Sequence, residues 1–154
     1  MAKNFSKIID KLQEALDSEF QAHSYYLCVW TYLKGDEIRK LGKYFHDIAK
    51  EEKGHAKLLM DRIATLGETA QPAMTPVKVQ ESAIECVRKA HELEETAISI
   101  YRELYELSAD SGDPVTAKIA THICEDEEDH AQFLSAQIEL HEKLGEQNWL
   151  AEWL

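Results

Sequence analysis

The sequence repeats itself at one fixed offset, and the residues that repeat are of types that bind metal ions. Three pairs of residues each stand 75 positions apart: Glu19 and Glu94, Glu52 and Glu127, and His55 and His130. Each half of the chain therefore holds one glutamate followed 33 residues later by Glu-x-x-His. Such a duplication predicts two similar halves that present the same side chains at equivalent places.

Apolar residues recur at helical spacing between a small number of glycine and proline breakers. Phe5, Ile8, Leu12 and Ala15 begin such a stripe in the first segment. A recurrence near 3.6 residues is typical of amphipathic helices. The pattern predicts an all-α chain with helices over about 5–34, 37–66, 81–109 and 114–144, and a short C-terminal helix over about 146–153.

The lengths of the connections predict the topology. Tight turns near Gly35 and Ser111 join the helices into two antiparallel hairpins, whereas the segment from about Gly67 to Val79 is long enough to cross a whole bundle. Two hairpins joined by one long crossover form the ferritin-like four-helix bundle. With 154 residues, the chain is predicted to be one domain over 1–154.

The repeated acids occupy positions where the helical stripe calls for apolar residues. In the second helix the stripe of Leu41 and Phe45 leads to positions 52 and 55, which are Glu52 and His55. An ionised carboxylate buried there is costly unless it is paired, protonated or bound to a cation. The position of these acids therefore favours a buried ion site over a solvated helix face.

The hairpin turns place the repeated residues at one level of the bundle. In an antiparallel pair, two residues at one level lie equally far from the turn, and the midpoint of Glu19 and Glu52 falls between Gly35 and Asp36. The midpoint for the second half likewise falls in its predicted turn. At a rise of about 1.5 Å per residue, an error of two residues moves the level by only about 3 Å. We therefore expect one layer of four acids and two histidines.

Such a layer has the ligands for two metal ions. It matches the carboxylate-bridged di-iron or di-manganese sites of ferritin-like proteins, in which Glu-x-x-His on two helices joins a glutamate from each of the others. The oxygen-rich set suits iron or manganese. We assign Glu52 and Glu127 as bridges, and assign Glu19 with His55 to one ion and Glu94 with His130 to the other. Two ferrous ions can each give one electron to O2 or peroxide.

Other residues near the motifs are weaker candidates. Glu51, Glu95 and Glu128 are the obvious substitutes if the register slips by one residue, and Glu51 is also a candidate outer or entry acid. Tyr26 lies two helical turns beyond Glu19 and Tyr101 two turns beyond Glu94, so each is either a hydrogen-bond or electron donor near the metals or a core residue. His23 and His91 lack a histidine at the 75-residue offset, and we do not assign them as ligands.

Composition limits the partners and the compartment. The net charge of −12, from 29 acidic and 17 basic residues, argues against nucleic acid and anionic membranes as partners. No apolar run approaches the length of a membrane span, and the opening residues 1–5 lack a signal core, so we expect a cytoplasmic protein. Three separated cysteines without a Cys-x-x-Cys pair disfavour a disulfide framework and a rubredoxin-type site.

The motifs resemble those of bacterioferritin over essentially the whole chain. The two Glu-x-x-His-Ala motifs, the pair Glu19 and Tyr26, and the closing Gly145-Glu146-Gln147-Asn148-Trp149-Leu150 carry this resemblance. It implies a ferroxidase that oxidises Fe(II) with O2 or H2O2 and stores ferric mineral in a hollow homo-oligomeric shell of twenty-four subunits. In that family the matching residues Glu19, Glu52, His55, Glu94, Glu127 and His130 are the ferroxidase ligands, with two iron ions per subunit.

One position departs from the family pattern. Bacterioferritins ligate haem through a methionine directly after the bridging glutamate of the second helix, and this chain has Lys53 there. We therefore expect haem to be absent, or supplied by a haem-binding partner subunit. The alternative functions are a rubrerythrin-like di-iron peroxidase or manganese catalase that uses the same site, and an acidic bundle with a purely structural role.

Overall fold

Four long helices and one short helix make up the described part of the chain. The structure is a computed structural model that describes the backbone of residues 2–154 and the side chains of residues 5–154. The helices are α1 (Ala2–Gly35), α2 (Arg39–Thr65), α3 (Ala83–Asp110), α4 (Pro114–Leu144) and α5 (Glu146–Ala151). The predicted all-α class is confirmed, and the bounds of the long helices lie within three residues of the predicted ones.

Local chemistry explains where the helices begin. The Ser82 side chain accepts a hydrogen bond of 3.3 Å from the backbone N–H of Glu85, so it caps α3. Asp113 caps α4 in the same way at 3.1 Å from the Thr116 N–H. The predicted start of α2 at residue 37 is two residues early. Glu37 has a φ of 64°, in the left-handed region, and a right-handed α-helix cannot include this conformation.

The predicted topology, two antiparallel hairpins joined by one long crossover, is confirmed. α1 packs against α2, α3 packs against α4, and contacts between α1 and α3 and between α2 and α4 close the bundle. The crossover of residues 66–82 runs alongside α1, in the same direction as that helix. Gln13 hydrogen-bonds Thr69 and Gln71 near its beginning, and the Tyr32 hydroxyl donates to the Glu81 carbonyl at 3.1 Å near its end.

The apolar core is divided into two clusters along the bundle axis. One cluster surrounds Tyr26, Leu33 and Phe45 and includes Trp149 of α5. The other surrounds Leu12 and Leu59 and reaches towards the opposite end of the bundle. A layer of buried polar side chains lies between the two clusters. Within residues 2–154, none of the helices combines the length and the hydrophobicity that a membrane span requires.

Candidate metal centre

The six residues of the repeated motif meet in the layer between the two apolar clusters. α1 and α3 contribute one glutamate each, and α2 and α4 contribute a glutamate and a histidine each. All six side chains are buried, with no more than 6% of any residue exposed: Glu19, Glu52, His55, Glu94, Glu127 and His130. The one-layer geometry expected from the turn positions is therefore what the structure contains.

These residues form two overlapping groups, each with four donor atoms. Glu19 and His55 belong to the first group and Glu94 and His130 to the second, whereas Glu52 and Glu127 belong to both. Within each group the donor atoms lie within 4.8 Å of one another. Two carboxylates shared between two groups are positioned to bridge a pair of ions.

Each imidazole faces the shared carboxylates through its Nδ1 atom. The Nδ1 atom of His55 lies 3.1 Å from Glu52 and 3.2 Å from Glu127. The Nδ1 atom of His130 lies 3.0 Å from Glu127 and 3.4 Å from Glu52. The two halves thus make equivalent contacts, as the duplicated sequence predicts.

The second nitrogen of each imidazole contacts an acid outside the layer. The Nε2 atom of His55 is 3.1 Å from Asp126, and the Nε2 atom of His130 is 3.0 Å from Glu51. A metal-bound histidine commonly donates its other N–H to a carboxylate, which fixes the tautomer and orients the ring. Sequence reasoning named Glu51 in this role but missed Asp126, although Asp126 stands at the same 75-residue offset from Glu51.

Two buried tyrosines connect the halves. The Tyr26 hydroxyl donates a hydrogen bond to Glu94, and the Tyr101 hydroxyl donates one to Glu19. Each tyrosine therefore donates to the glutamate of the other half rather than to the one on its own helix. Burial, with the neighbouring glutamates, raises the pKa of both phenols well above the usual value, so both remain protonated donors.

The charges within the layer depend strongly on one another. Burial raises the pKa of Glu52 well above its ordinary value and that of Glu127 to about 7, and the charge of Glu19 adds to both effects. Burial opposes protonation of His55 and His130, but their carboxylate contacts outweigh it and raise the pKa of both imidazoles. In the absence of metal, protons bound to these carboxyl and imidazole groups therefore offset the negative charge of the layer.

The layer has spare acceptor capacity that suits divalent cations. Oε2 of Glu19 and Oε1 of Glu52 are buried and accept no hydrogen bond from the residues that the structure describes. Across residues 5–154, neither Lys nor Arg forms an ion pair with any of the four glutamates. Two divalent cations balance four carboxylates while leaving both imidazoles neutral, so the donor set fits a di-iron or di-manganese site.

Four of the weaker candidates from the sequence, Glu95, Glu128, His91 and His23, lie outside this layer. Glu95 and Glu128 are exposed, and Glu128 pairs with Arg102 at 2.7 Å. His91 approaches Glu95 on the surface of α3 at 3.7 Å. His23 hydrogen-bonds the Ala49 carbonyl between α1 and α2. A one-residue slip of the register is therefore excluded for Glu94 and Glu127.

Comparison with known proteins agrees with the fold and with the geometry of the layer. A family model for the ferritin-like domain matches residues 9–144, which include all six residues of the layer. The chain therefore belongs to the ferritin-like family.

Relatives along nearly the whole chain narrow this assignment. A bacterioferritin of Rhodobacter capsulatus is 32% identical over 151 residues, which cover 96% of this chain and 92% of the relative. A bacterioferritin of Streptomyces coelicolor is 32% identical over 94% of this chain and 87% of its own length. These relatives confirm the predicted resemblance to bacterioferritin, and the chain is an iron-storage protein of the ferritin-like family.

A solved structure shows the same similarity. The 2.6 Å structure of Rhodobacter capsulatus bacterioferritin, described with a metal-free dinuclear site and with haem iron on a crystallographic special position, superposes with a TM-score of 0.90. The sequence identity is 30%, and the match covers 96% of this chain and 93% of the other. The four-helix bundle with one crossover is therefore shared in detail.

Proposed function

We propose that this chain is a ferroxidase subunit of an iron-storage shell. It binds two Fe(II) ions in the buried layer, oxidises them with O2 or H2O2, and passes Fe(III) on to a stored mineral. The observation that carries the proposal is the pair of four-ligand groups that share Glu52 and Glu127. A structural bundle has no need of four buried glutamates with neither a lysine nor an arginine beside them.

The residues of the layer take the roles that their contacts suggest. Glu52 and Glu127 bridge the two ions, Glu19 and His55 complete the ligands of one ion, and Glu94 and His130 complete those of the other. Asp126 and Glu51 orient the imidazole rings by accepting hydrogen bonds from their Nε2–H groups. Tyr26 and Tyr101 hold the terminal glutamates in place and keep a proton next to each metal ligand.

The electron balance explains why two ions are needed. Two Fe(II) ions give two electrons to O2, which takes up two protons and leaves as H2O2. With H2O2 as oxidant, two electrons and two protons yield two molecules of water instead. Binding of iron displaces the protons held on the imidazoles, because a ligating nitrogen must be unprotonated. The layer is therefore a local source of protons when the ions enter.

The assembly is proposed on the basis of the family. We infer one domain over residues 1–154 and a cytoplasmic homo-oligomer, and twenty-four copies of 17.6 kDa give a shell of about 420 kDa. The Rhodobacter capsulatus relative is described with haem iron. This chain has Lys53, which has no sulfur atom, at the position of the haem-ligating methionine, so we do not assign a haem ligand at position 53. Manganese fits the same donor set as iron.

Size and metal uptake test this proposal together. Size-exclusion chromatography with metal analysis, before and after aerobic Fe(II) loading, is expected to show one particle near the shell mass that gains hundreds of irons. A dimer that turns over peroxide without storing iron means a rubrerythrin-like peroxidase or a manganese catalase instead. A protein with no stoichiometric metal and no thermal shift in Fe(II) means a structural bundle.

A further inference from the structure

A groove between α3 and α4 leads from the surface to the wall of the metal centre. It has a volume of about 370 Å³, and its lining includes Tyr101 from α3 and Ala120 and Cys124 from α4. Tyr101 and Ala120 are fully buried, so they form its floor. The Tyr101 hydroxyl donates a hydrogen bond to Glu19. One tyrosine ring therefore separates the groove from a glutamate of the buried layer.

The inner walls of this groove are apolar. Ala120 contributes a methyl group, and Tyr101 contributes its ring, since its hydroxyl is already bonded to a carboxylate. Burial raises the pKa of the Cys124 thiol, so the thiol stays protonated and behaves as a small apolar group. The charged Arg102 and Glu128 lie at the exposed mouth, where they pair at 2.7 Å. A water molecule at the floor of the groove finds few of the polar partners that it needs.

The internal repeat shows how the same place can be filled. The counterpart of Ala120 in the first half, 75 residues earlier, is Phe45. Phe45 is fully buried, and its ring centroid lies 5.7 Å from that of Tyr26, the counterpart of Tyr101. The first half therefore places a phenyl ring against its tyrosine, where the second half has only a methyl group.

The mouth of the groove differs from the first half in the same way. The counterpart of Thr121 is His46, whose ring stacks on that of Trp30 with centroids 4.1 Å apart. Thr121 has no ring with which to form such a stack. Unfilled space beside a core forfeits packing contacts and so lowers stability. The second half keeps this space although the first half fills it within the same fold, and this favours a functional reason for the groove.

We propose that the groove between α3 and α4 is the site through which O2 reaches the metal centre, an inference that rests on the proposed ferroxidase function. O2 is small and apolar, so it favours an apolar recess over water. At the floor it lies behind Tyr101, next to Glu19, and Cys124 precedes the bridging Glu127 by one helical turn. Fe(II) prefers oxygen and nitrogen ligands, which the inner walls do not offer. The oxidant and the ferrous ions therefore enter the layer by different routes.

Localisation of dissolved O2 in the metal-free, full-length protein tests the site without any turnover. O2 is paramagnetic, so it broadens the nuclear magnetic resonance signals of the groups that it contacts. With ¹³C-labelled alanine methyl groups, the Ala120 signal should broaden under O2 pressure more than those of Ala15 and Ala90, which are equally buried but do not line the groove. Equal broadening of the three signals would overturn the proposal. Because iron takes no part, this measurement is independent of the ferroxidase function.

Graded filling of the groove tests its role in oxidation. Ala120→Val should lower the second-order rate constant for O2 with Fe(II)-loaded protein, and Ala120→Phe, which copies the first half, should lower it further, by about tenfold or more. Oxidation by H2O2 should stay within about twofold of the unaltered protein, because H2O2 is polar and both variants leave the ligands in place. Co(II) affinity should be unchanged for the same reason. Thr121→Trp obstructs the exposed mouth without altering the core, so it should also slow O2 alone.

A matched change in a neighbouring groove serves as the control. Ser135→Phe adds the same ring to a different groove between α3 and α4 and should leave all three quantities unchanged. Circular dichroism establishes that each variant is folded. Unchanged O2 rate constants in the folded Ala120 and Thr121 variants, or an equal loss with O2 and with H2O2, would refute the O2 route. An unaltered protein that oxidises no Fe(II) would instead refute the ferroxidase function, and the methyl signals would still report whether O2 occupies the groove.

Discussion

The Tyr26 hydroxyl, on α1, donates its hydrogen bond to Glu94, on α3, and so links the first half of the chain to the second. Tyr101 makes the reciprocal bond to Glu19. The two terminal glutamates of the metal centre are therefore each held by the opposite half. The duplicated motifs consequently form one site with shared support rather than two independent ones.

Removal of one hydroxyl tests this support. Tyr26→Phe is expected to destabilise the protein by about 1.5–3 kcal/mol, because it leaves a buried carboxylate without its donor. Iron oxidation should slow and Fe(II) affinity should fall by about tenfold or more. Tyr101→Phe should produce the same pair of effects, since its contacts are equivalent. Urea unfolding and stopped-flow Fe(II) oxidation measure them.

Tyr105→Phe is a suitable control for these variants, because Tyr105 lies one turn further along α3 and its side chain is exposed. It should change stability by less than about 0.5 kcal/mol. If Tyr26→Phe behaved like Tyr105→Phe in both measurements, the hydroxyl would have no role in holding the ligand.

Replacement of a bridging carboxylate should separate stability from function. Glu127→Gln removes a buried acid that belongs to both ligand groups, so loss of the second ion and of oxygen-dependent Fe(II) oxidation is expected. The metal-free variant should nevertheless melt about 3–6 °C higher than the unaltered protein at pH 8, because burial disfavours the ionised form of Glu127. Calorimetry of the metal-free proteins and metal analysis after loading give the two results.

Glu125→Gln is the matched control on the same helix, because Glu125 is exposed and faces away from the layer. Unchanged metal stoichiometry and oxidation in Glu127→Gln would refute the bridging role. A lower melting temperature of that variant at pH 8 would refute the inferred cost of the buried charge.

The stability of the metal-free protein should fall as the pH rises. The folded state raises the pKa of Glu127 to about 7 and raises that of His55, so it binds more protons than the unfolded chain above about pH 4.5. Unfolding free energy decreases with pH wherever the folded state holds more protons. The melting temperature of metal-free protein should thus decline from about pH 5 to pH 8.

Bound metal should reverse this dependence. Ions displace the protons from the layer, so binding strengthens as the pH rises. Anaerobic Fe(II) or Mn(II) should therefore raise the melting temperature more at pH 8 than at pH 6. A metal-free protein that gains stability from pH 5 to pH 8 would contradict the inferred protonation of the layer.

The outer acids should affect metal affinity without being ligands. Asp126→Asn weakens the acceptor for the Nε2 proton of His55, and Glu51→Gln does so for His130. Each is expected to lower metal affinity by about 10-fold to 100-fold. Asp129→Asn, on the exposed side of α4, should have little effect. Equilibrium titration with Co(II) or Mn(II) distinguishes these variants, and equal affinities for all of them would rule out the orienting role.

Most of the fold followed from sequence because its determinants are local. Helical spacing, Ser82 and Asp113 as caps, and the turn near Ser111 fix the helices and hairpins within a few residues. The layer was predictable for the same reason, since the midpoints between Glu19 and Glu52 and between their repeats fall in the turns.

Contacts between helices that are not joined by a short turn were not predictable. Spacing places Tyr26 on the face of its own helix but does not show that it reaches Glu94 on α3. Asp126 was missed although the repeat marks it, because a single acid beside Glu127 has no apolar stripe to distinguish it. The hydrogen bond between His23 and the Ala49 carbonyl was likewise not predictable, because it involves a backbone group that no side-chain pattern reveals.

The sharing of Glu52 and Glu127 between the two ligand groups has a consequence for titrations. The first ion to arrive fixes two of the four ligands that its neighbour requires, so the second ion binds to a pre-organised pocket. Occupancy should then rise steeply with free Fe(II), and molecules that hold a single ion should be scarce. The protein would therefore meet oxidant mostly in the empty or the doubly filled state.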